Sequence, residues 1–365
     1  MSEWQTFCLK DLVKIFGGST PPTNNPKNYG NKIRWITAKD LSTLQGRYIE
    51  KGSRSISRLG FKSCSTFLLP KHAILFSVRA PIGYTAIISK RSCTDRGLMG
   101  LVPNKKIYFE FLYYLLKYHK DNISNMGVGT TFKGISKPAL GLFEVKIPPT
   151  YYEQQKIART LSILDQKIEN NHKINELLHT LAYKIYEYYF KYKPKNAKLE
   201  QIIIENPKSS IMVKNAQKTQ DKYPFFTSGD NILSYPKAII DGRNCFLNTG
   251  GNVGIKFYVG KASYSTDTWC ICANEFSDYL YLLLSSIKTH INQSFFQGTS
   301  LKHLQKNLLK KYPIYMPSTH EIKKFNQIIM PLLTLISINT RTSKKLEQIR
   351  DFLLPLLLKQ QVKPQ

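Results

Sequence analysis

From Glu153 to Phe190 the sequence contains neither proline nor glycine and is rich in helix-forming residues. Steps of four and three from Ile157 land on Leu161, Leu164, Ile168, Asn171, Asn175, Leu178, Ala182, Ile185 and Tyr189. Apolar residues at this spacing form the seam of a long helix that packs along a partner helix. At a rise of 1.5 Å per residue the segment would extend roughly 57 Å, too far to be enclosed by a single flanking domain.

The partner is found 168 positions further on, where Phe325, Ile329, Leu332, Ile336, Asn339, Ser343, Leu346, Arg350, Leu353 and Leu357 repeat the seam. Arg350 weakens this second copy, and Pro331 is expected to bend the helix or mark its true start. Asn171 and Asn339 occupy equivalent positions in the two copies. A polar residue within an apolar seam can fix the register and direction of a helix pair. Two independent surface helices that each carry an asparagine are the alternative.

The repetition extends upstream of both helices. GTTFKGISKPALGLFEVKIP, from Gly129 to Pro148, aligns without a gap on GTSLKHLQKNLLKKYPIYMP, from Gly298 to Pro317. More loosely, SVRAPIGYTAII at 77–88 matches NTGGNVGIKFYV at 248–259. Each helix is preceded by a segment rich in strands and turns. In the first, KIRWIT, AILFSV and GYTAII read as strands and FEFLYYLLKYH as a helix. In the second, KYPFFTSGD, KAII, NCFLN and GIKFYV read as short strands and DYLYLLLSSIKTHI as the matching helix. The plan is a tandem repeat of a half-molecule: a domain over 1–150, a spacer helix over 151–192, a second domain over 193–317 and a second helix over 318–365. Outside the shared scaffold the two halves diverge almost completely.

Charge narrows the range of partners. The chain has 53 Lys and Arg against 24 Asp and Glu, a formal charge of +29. The excess is 23 against 8 in residues 1–150 and 17 against 8 in 191–317, while residues 151–190 balance at 5 against 5. Two basic blocks flanking a neutral one point to a polyanion, with nucleic acid the first candidate. No stretch approaches eighteen consecutive apolar residues and the N-terminus lacks a secretory pattern, so no membrane partner and a cytoplasmic location are expected. The six cysteines have no metal-site spacing, and Cys270 and Cys272 are expected to be reduced thiols in a strand.

Motifs for catalysis are missing. There is no phosphate-binding loop with a Gly-Lys-Ser/Thr ending, no Asn-Pro-Pro-aromatic or Asp-Pro-Pro-aromatic tetrapeptide, no G-x-S-x-G elbow and no H-E-x-x-H. Glu144-Val145-Lys146 resembles half of a nuclease metal site, with Asp121 as the only candidate second carboxylate. The repeat replaces this triplet by Pro313-Ile314-Tyr315, so an exposed strand is the expected reading. No catalytic residue, metal or cofactor is assigned. The abundant Lys, Arg, amides and hydroxyls instead suit phosphate contacts and base-edge reading.

The order and spacing of these features resemble the specificity (S) subunit of type I restriction–modification systems over essentially the whole chain. The resemblance is carried by Gly17-Gly18-Ser19-Thr20-Pro21, Trp35-Ile36-Thr37, Asp40-Leu41, Ser77-Val78-Arg79-Ala80-Pro81-Ile82-Gly83 and Gly129-Thr130-Thr131. The 153–190 helix and LEQIRDFLLPLLL at 346–358 complete it. The second domain departs from the pattern, opening on YPFFTSGD like another subtype of recognition domain. The resemblance implies an α+β, non-catalytic protein with two target recognition domains, joined by two long antiparallel coiled-coil helices in a pseudo-twofold arrangement. It also implies double-stranded DNA as ligand, each domain reading one half of a bipartite target. Two methyltransferase (M) subunits and, in the full complex, two restriction (R) subunits are the implied partners.

Turns in or beside the repeated motifs supply the candidate DNA contacts: Arg79, Thr130, Thr131 and Lys133 in the first domain, and Asn248, Thr249, Ser300 and Lys302 in the second. Phosphate positioning is expected of them more than base reading. That the Gly-Thr pairs merely turn the chain remains an open alternative. Two rival functions also remain at this level, a Mg²⁺-dependent nuclease acting through Glu144 and a basic scaffold for an acidic protein or membrane.

Overall fold

The structure, a computed structural model, describes residues 3–128, 133–216, 222–298 and 301–364. The chain divides into two compact units, one of residues 1–170 with 343–365 and the other of residues 171–342. Both boundaries fall inside long helices, so each unit contains part of both.

The first long helix runs Tyr151–Tyr186 and ends in a π-turn over Glu187–Lys191. The second runs Thr319–Leu358 without interruption. Pro331 therefore does not mark its start. The helix begins where Ser318 and Glu321 form a reciprocal cap, Glu321 N–H donating to Ser318 Oγ at 3.3 Å and Ser318 N–H to Glu321 Oε2 at 2.9 Å. All seam positions read from the heptad pattern are buried or half-buried in both helices. The helices run antiparallel: in the second unit Asn175 bonds Asn339 while Tyr189 packs on Phe325, so one index rises as the other falls.

Arg350 does not weaken its seam as the sequence suggested. In the first unit its guanidinium meets Asp165 Oδ1 at 2.7 Å, and Tyr114 donates to Asp165 Oδ2 at 2.6 Å. A cation in an apolar seam is accommodated when a buried carboxylate faces it with its remaining oxygen also bonded.

In the first unit a five-stranded sheet has the order Val13–Gly17, Leu98–Pro103, Ile74–Ser77, Thr85–Ile88, Tyr48–Ile49. Its central strand, Ile74–Ser77, is buried throughout, as expected for a short continuous apolar run. Against it lies the helix Phe109–Tyr118, whose residues from Phe111 to Leu116 are all buried. This core includes Ile157, Ala158 and Leu161 of the first long helix and Leu354, Leu357 and Leu358 of the second.

The second unit has a four-stranded sheet ordered Ile204–Glu205, Thr268–Cys272, Arg243–Asn248, Ile255–Val259. Its core takes in Ala182, Tyr186 and Phe190 from the first long helix and Ile322, Phe325, Ile329 and Leu333 from the second. KAII forms no strand, contributing only the single bridge Ile240–Ala262, and the strand lies instead at Leu233–Tyr235. The expected helix over 278–291 is two, Ser277–Ser286 and Lys288–Ser294, parted at Ile287.

Divergence of sequence does not extend to topology. In the first unit Trp35 and Ile36 pair parallel with Cys93 and Thr94. In the second, Phe225 and Phe226 pair parallel with Ser263 and Tyr264. The shared pairing survives because a β-ladder is built from backbone groups, while the side chains need only supply apolar volume. All six cysteines are free, Cys270 buried and Cys272 half-buried.

Candidate nucleic-acid interface

In each unit the two repeated motifs meet. The strand Ile74–Ser77 ends in the turn from Ser77 to Tyr84, where Ser77 Oγ donates to Pro81 O at 2.9 Å and accepts from Tyr84 N–H at 2.8 Å. Gly83 has φ +102°, which a β-carbon disfavours, and a methyl there would come 2.4 Å from the Lys120 side chain. Arg79 in this turn forms a backbone bridge with Gly134, and Ile135 N–H donates to Val78 O at 2.9 Å. Val128 and Gly134 exchange two 3.1 Å backbone bonds.

The second unit repeats this junction with other residues. The strand Arg243–Asn248 ends in the turn over 248–254, and Gly250 bridges His303 as Arg79 bridges Gly134. Gly251 N–H donates to Lys302 O at 2.9 Å and Leu304 N–H to Thr249 O at 3.0 Å. Phe296–Gln297 pairs antiparallel with His303–Leu304.

Arg79, Lys133 and Lys302 are exposed at these junctions; Arg79 bridges the residue next to Lys133, while Thr249 pairs with Leu304, two residues along from Lys302. Thr130, Thr131 and Ser300 lie outside the described residues. Asn248 is buried, and its amide donates to Ser228 O at 2.7 Å and Asn252 O at 3.0 Å. It holds the turn, as Ser77 does in the first unit, and does not present its amide at the surface. Thr249 is half-buried, with its hydroxyl donating to Asp267 O at 2.8 Å. Asn171 is half-buried in the first long helix, and Asn339, half-buried in the second, donates to Asn175 Oδ1 at 3.0 Å.

Sequence reasoning missed three cations here. Lys120 packs over Gly83, and Lys288, exactly one repeat of 168 later, acts electrostatically on Lys256. Both open short helices and are exposed, and their shared offset is the signal that could have found them. Lys256 is half-buried. Its ammonium donates to Thr227 O at 2.8 Å and Gly229 O at 2.6 Å, tying the loop after Phe226 to the turn after Asn248. Burial lowers its pKa, with Lys288 acting in the same direction and Asp230 opposing. In the first unit burial raises the Asp95 carboxyl above its usual range, while the N–H groups of Gly97 and Ala38 and the Arg79 guanidinium pull it down.

A nuclease centre is not assembled from the triplet noted above. Glu144 and Lys146 are exposed on the strand Glu144–Ile147, which pairs with Gln5–Cys8. No group of three or more His, Cys, Asp or Glu that could hold a metal occurs among the described residues. Among those residues, too, no helix is long and apolar enough to cross a membrane.

Fold and site together define a class: a duplicated, strongly basic binding protein in which two differently decorated β-rich domains grow from one pair of long helices. The family model described as the type I restriction modification DNA specificity domain matches residues 1–180 and 195–348. The chain belongs to that family, and its role is DNA recognition in a type I restriction–modification system. It is similar to the type I restriction enzyme MjaIX specificity subunit of Methanocaldococcus jannaschii, 29% identical over 405 residues, covering 98% of this chain and 93% of the relative. The HindI specificity subunit of Haemophilus influenzae is 27% identical over 177 residues, 46% of this chain and 37% of the relative. In fold the chain is similar to the crystal structure of a type I restriction–modification S subunit from M. genitalium, with a TM-score of 0.64, 18% identity and coverage of 97% and 96%.

Proposed function

We propose that the recognition domains, residues 1–150 and 193–317, each read one half of a bipartite double-stranded DNA target. The chain has no chemistry of its own in this reading. The long helices hold the two readers at a set separation and rotation, and two M subunits and, in the full complex, two R subunits dock to supply modification and cleavage. The complex works where the host DNA is, in the cytoplasm.

One observation carries the reading. The junction of the two repeated motifs recurs in both units with the same backbone bridge, Arg79–Gly134 and Gly250–His303, while the side chains mounted on it differ. A repeated frame with individual decoration suits two different half-sites. A scaffold for an acidic protein or membrane would need the charge but not the divergence. At the junctions, exposed Arg79, Lys120 and Lys133 in one unit and Lys288 and Lys302 in the other supply cations for phosphates on either side of a groove. Footprinting on random duplexes with the M subunit present tests it. Two protected half-sites separated by an unread gap are expected, and a single continuous footprint or none would overturn it.

A further inference from the structure

In both units the second residue of the helix packed on the central sheet is an acid, Glu110 in Phe109–Tyr118 and Asp278 in Ser277–Ser286, exactly 168 positions apart. Each receives an arginine that also reaches a long helix. In the first unit Arg47 Nη1 lies 3.1 Å from Glu110 Oε1, and its Nε lies 3.1 Å from Glu169 Oε1 on the first long helix. The backbone N–H of Arg47 donates to the same Glu169 oxygen at 2.8 Å. In the second unit Arg243 grips Asp278 with two bonds of 2.5 Å and donates to Thr334 Oγ1 at 2.9 Å and Met330 O at 3.2 Å on the second long helix.

These arginines are not related by the repeat. Arg47 precedes the strand Tyr48–Ile49, whereas Arg243 opens the strand equivalent to Ile74–Ser77. At the offset of 171 that aligns those strands, the first unit has His72 in place of Arg243, stacked face to face on Phe109 at 4.1 Å. The same three-way clamp of recognition domain, arginine and long helix has thus been built from two different places in the sequence.

Both clamps are buried where it counts: Arg47 is 2% exposed and Asp278 1%. In the first, Glu110 is held further by Tyr48 and Tyr108, which donate to it at 2.6 and 2.8 Å. Apolar contacts tolerate a small slide or rotation of a domain on a helix, but a guanidinium bonded at once to an acid of the domain and to the long helix does not. We propose that Arg47 and Arg243 are positioning residues that set the angle at which each recognition domain is seated on its long-helix segments. They thereby decide how sharply one gap length between half-sites is accepted. The inference rests on the two-half-site reading above.

The test uses the full chain assembled with its M subunits and a duplex library carrying both wild-type half-sites at every gap length. Arg47→Lys and Arg243→Lys keep the charge and remove the fork. Glu169→Gln and Thr334→Val loosen the helix side without stranding a buried arginine, and serve if the first pair fold poorly. Each variant is expected to bind the neighbouring gap lengths roughly tenfold better relative to the preferred one than wild type does, with the bases of each half-site unchanged. A single gap as narrow as that of wild type, in Glu169→Gln and Thr334→Val proteins that melt normally, would overturn the clamp role. Failure of the wild-type assembly to select any two-part site would instead sink the reading on which it rests.

Discussion

Asn339 donates a hydrogen bond of 3.0 Å to the side-chain oxygen of Asn175, one helical turn beyond Asn171. The sequence placed Asn171 and Asn339 at equivalent repeat positions. In an antiparallel pair, equivalent residues face each other only where the two seams cross, so the partner of Asn339 is displaced along the helix. Replacing Asn339 by Ala leaves the Asn175 amide oxygen facing an apolar seam and is expected to cost about 1–2 kcal/mol. The double change Asn175→Leu with Asn339→Leu should recover most of that loss. Chemical denaturation of the three proteins checks both.

Spacer length should govern the unread gap. Four residues inserted beside Asn171 lengthen a helix by roughly 6 Å and wind it by about 1.1 turns, a net rotation of about a tenth of a turn. The footprint is expected to show a changed gap and unchanged half-site sequences. The same gap after insertion would contradict the spacer role.

Lys133 and Lys302 are exposed at the two junctions. If each meets a phosphate, its replacement by Ala should reduce the slope of log affinity against log salt by about one unit. Measuring binding across a salt series decides this, because an intact slope assigns these lysines to the solvated surface.

Asn248 holds the turn of the second unit through two buried amide bonds. Asn248→Ala leaves two carbonyls without their donor, and a loss of about 2 kcal/mol in stability is expected. Protection should fade on the half-site read by the second domain while the other half-site stays protected. Quantitative footprinting compares the two within one experiment.

The cap of the second long helix makes stability depend on pH. Ser318 N–H, with the Tyr315 hydroxyl in support, holds the Glu321 carboxyl below its ordinary value of 4.5. A lowered carboxylate pKa contributes stability above the unfolded value and loses it as pH falls through the folded one. Melting temperature is therefore expected to drop below about pH 4.5, and Glu321→Gln should flatten that part of the profile. An identical acid profile in the variant would show that other carboxylates carry the transition.

Much of this was legible in the chain. The heptad steps located both long helices, since a seam that must face a partner leaves a period in the residues themselves. The strands AILFSV, NCFLN and GIKFYV were readable as short apolar runs between turn formers, and the 168-residue repeat announced two related domains. The Ser318-to-Glu321 cap was also there to be read, and would have shown that the second helix starts ahead of Pro331. The repeated motifs also singled out Arg79, Lys133 and Lys302, which lie exposed at the two junctions. Lys120 and Lys288 were missed, lying outside those motifs.

Sequence by itself determined the duplicated plan, the helical frame and the basic character, because each is a local or periodic property of consecutive residues. Tertiary structure alone decided which groups meet. Arg350 read as a flaw in its seam until Asp165 stood opposite it. Asn248 read as a surface amide until the turn closed over it. Arg47 carried no signal at all, because its acids lie 63 and 122 positions away along the chain. Contacts of that range depend on how the domain is seated on its helices, and no spacing between neighbours along the chain encodes that seating.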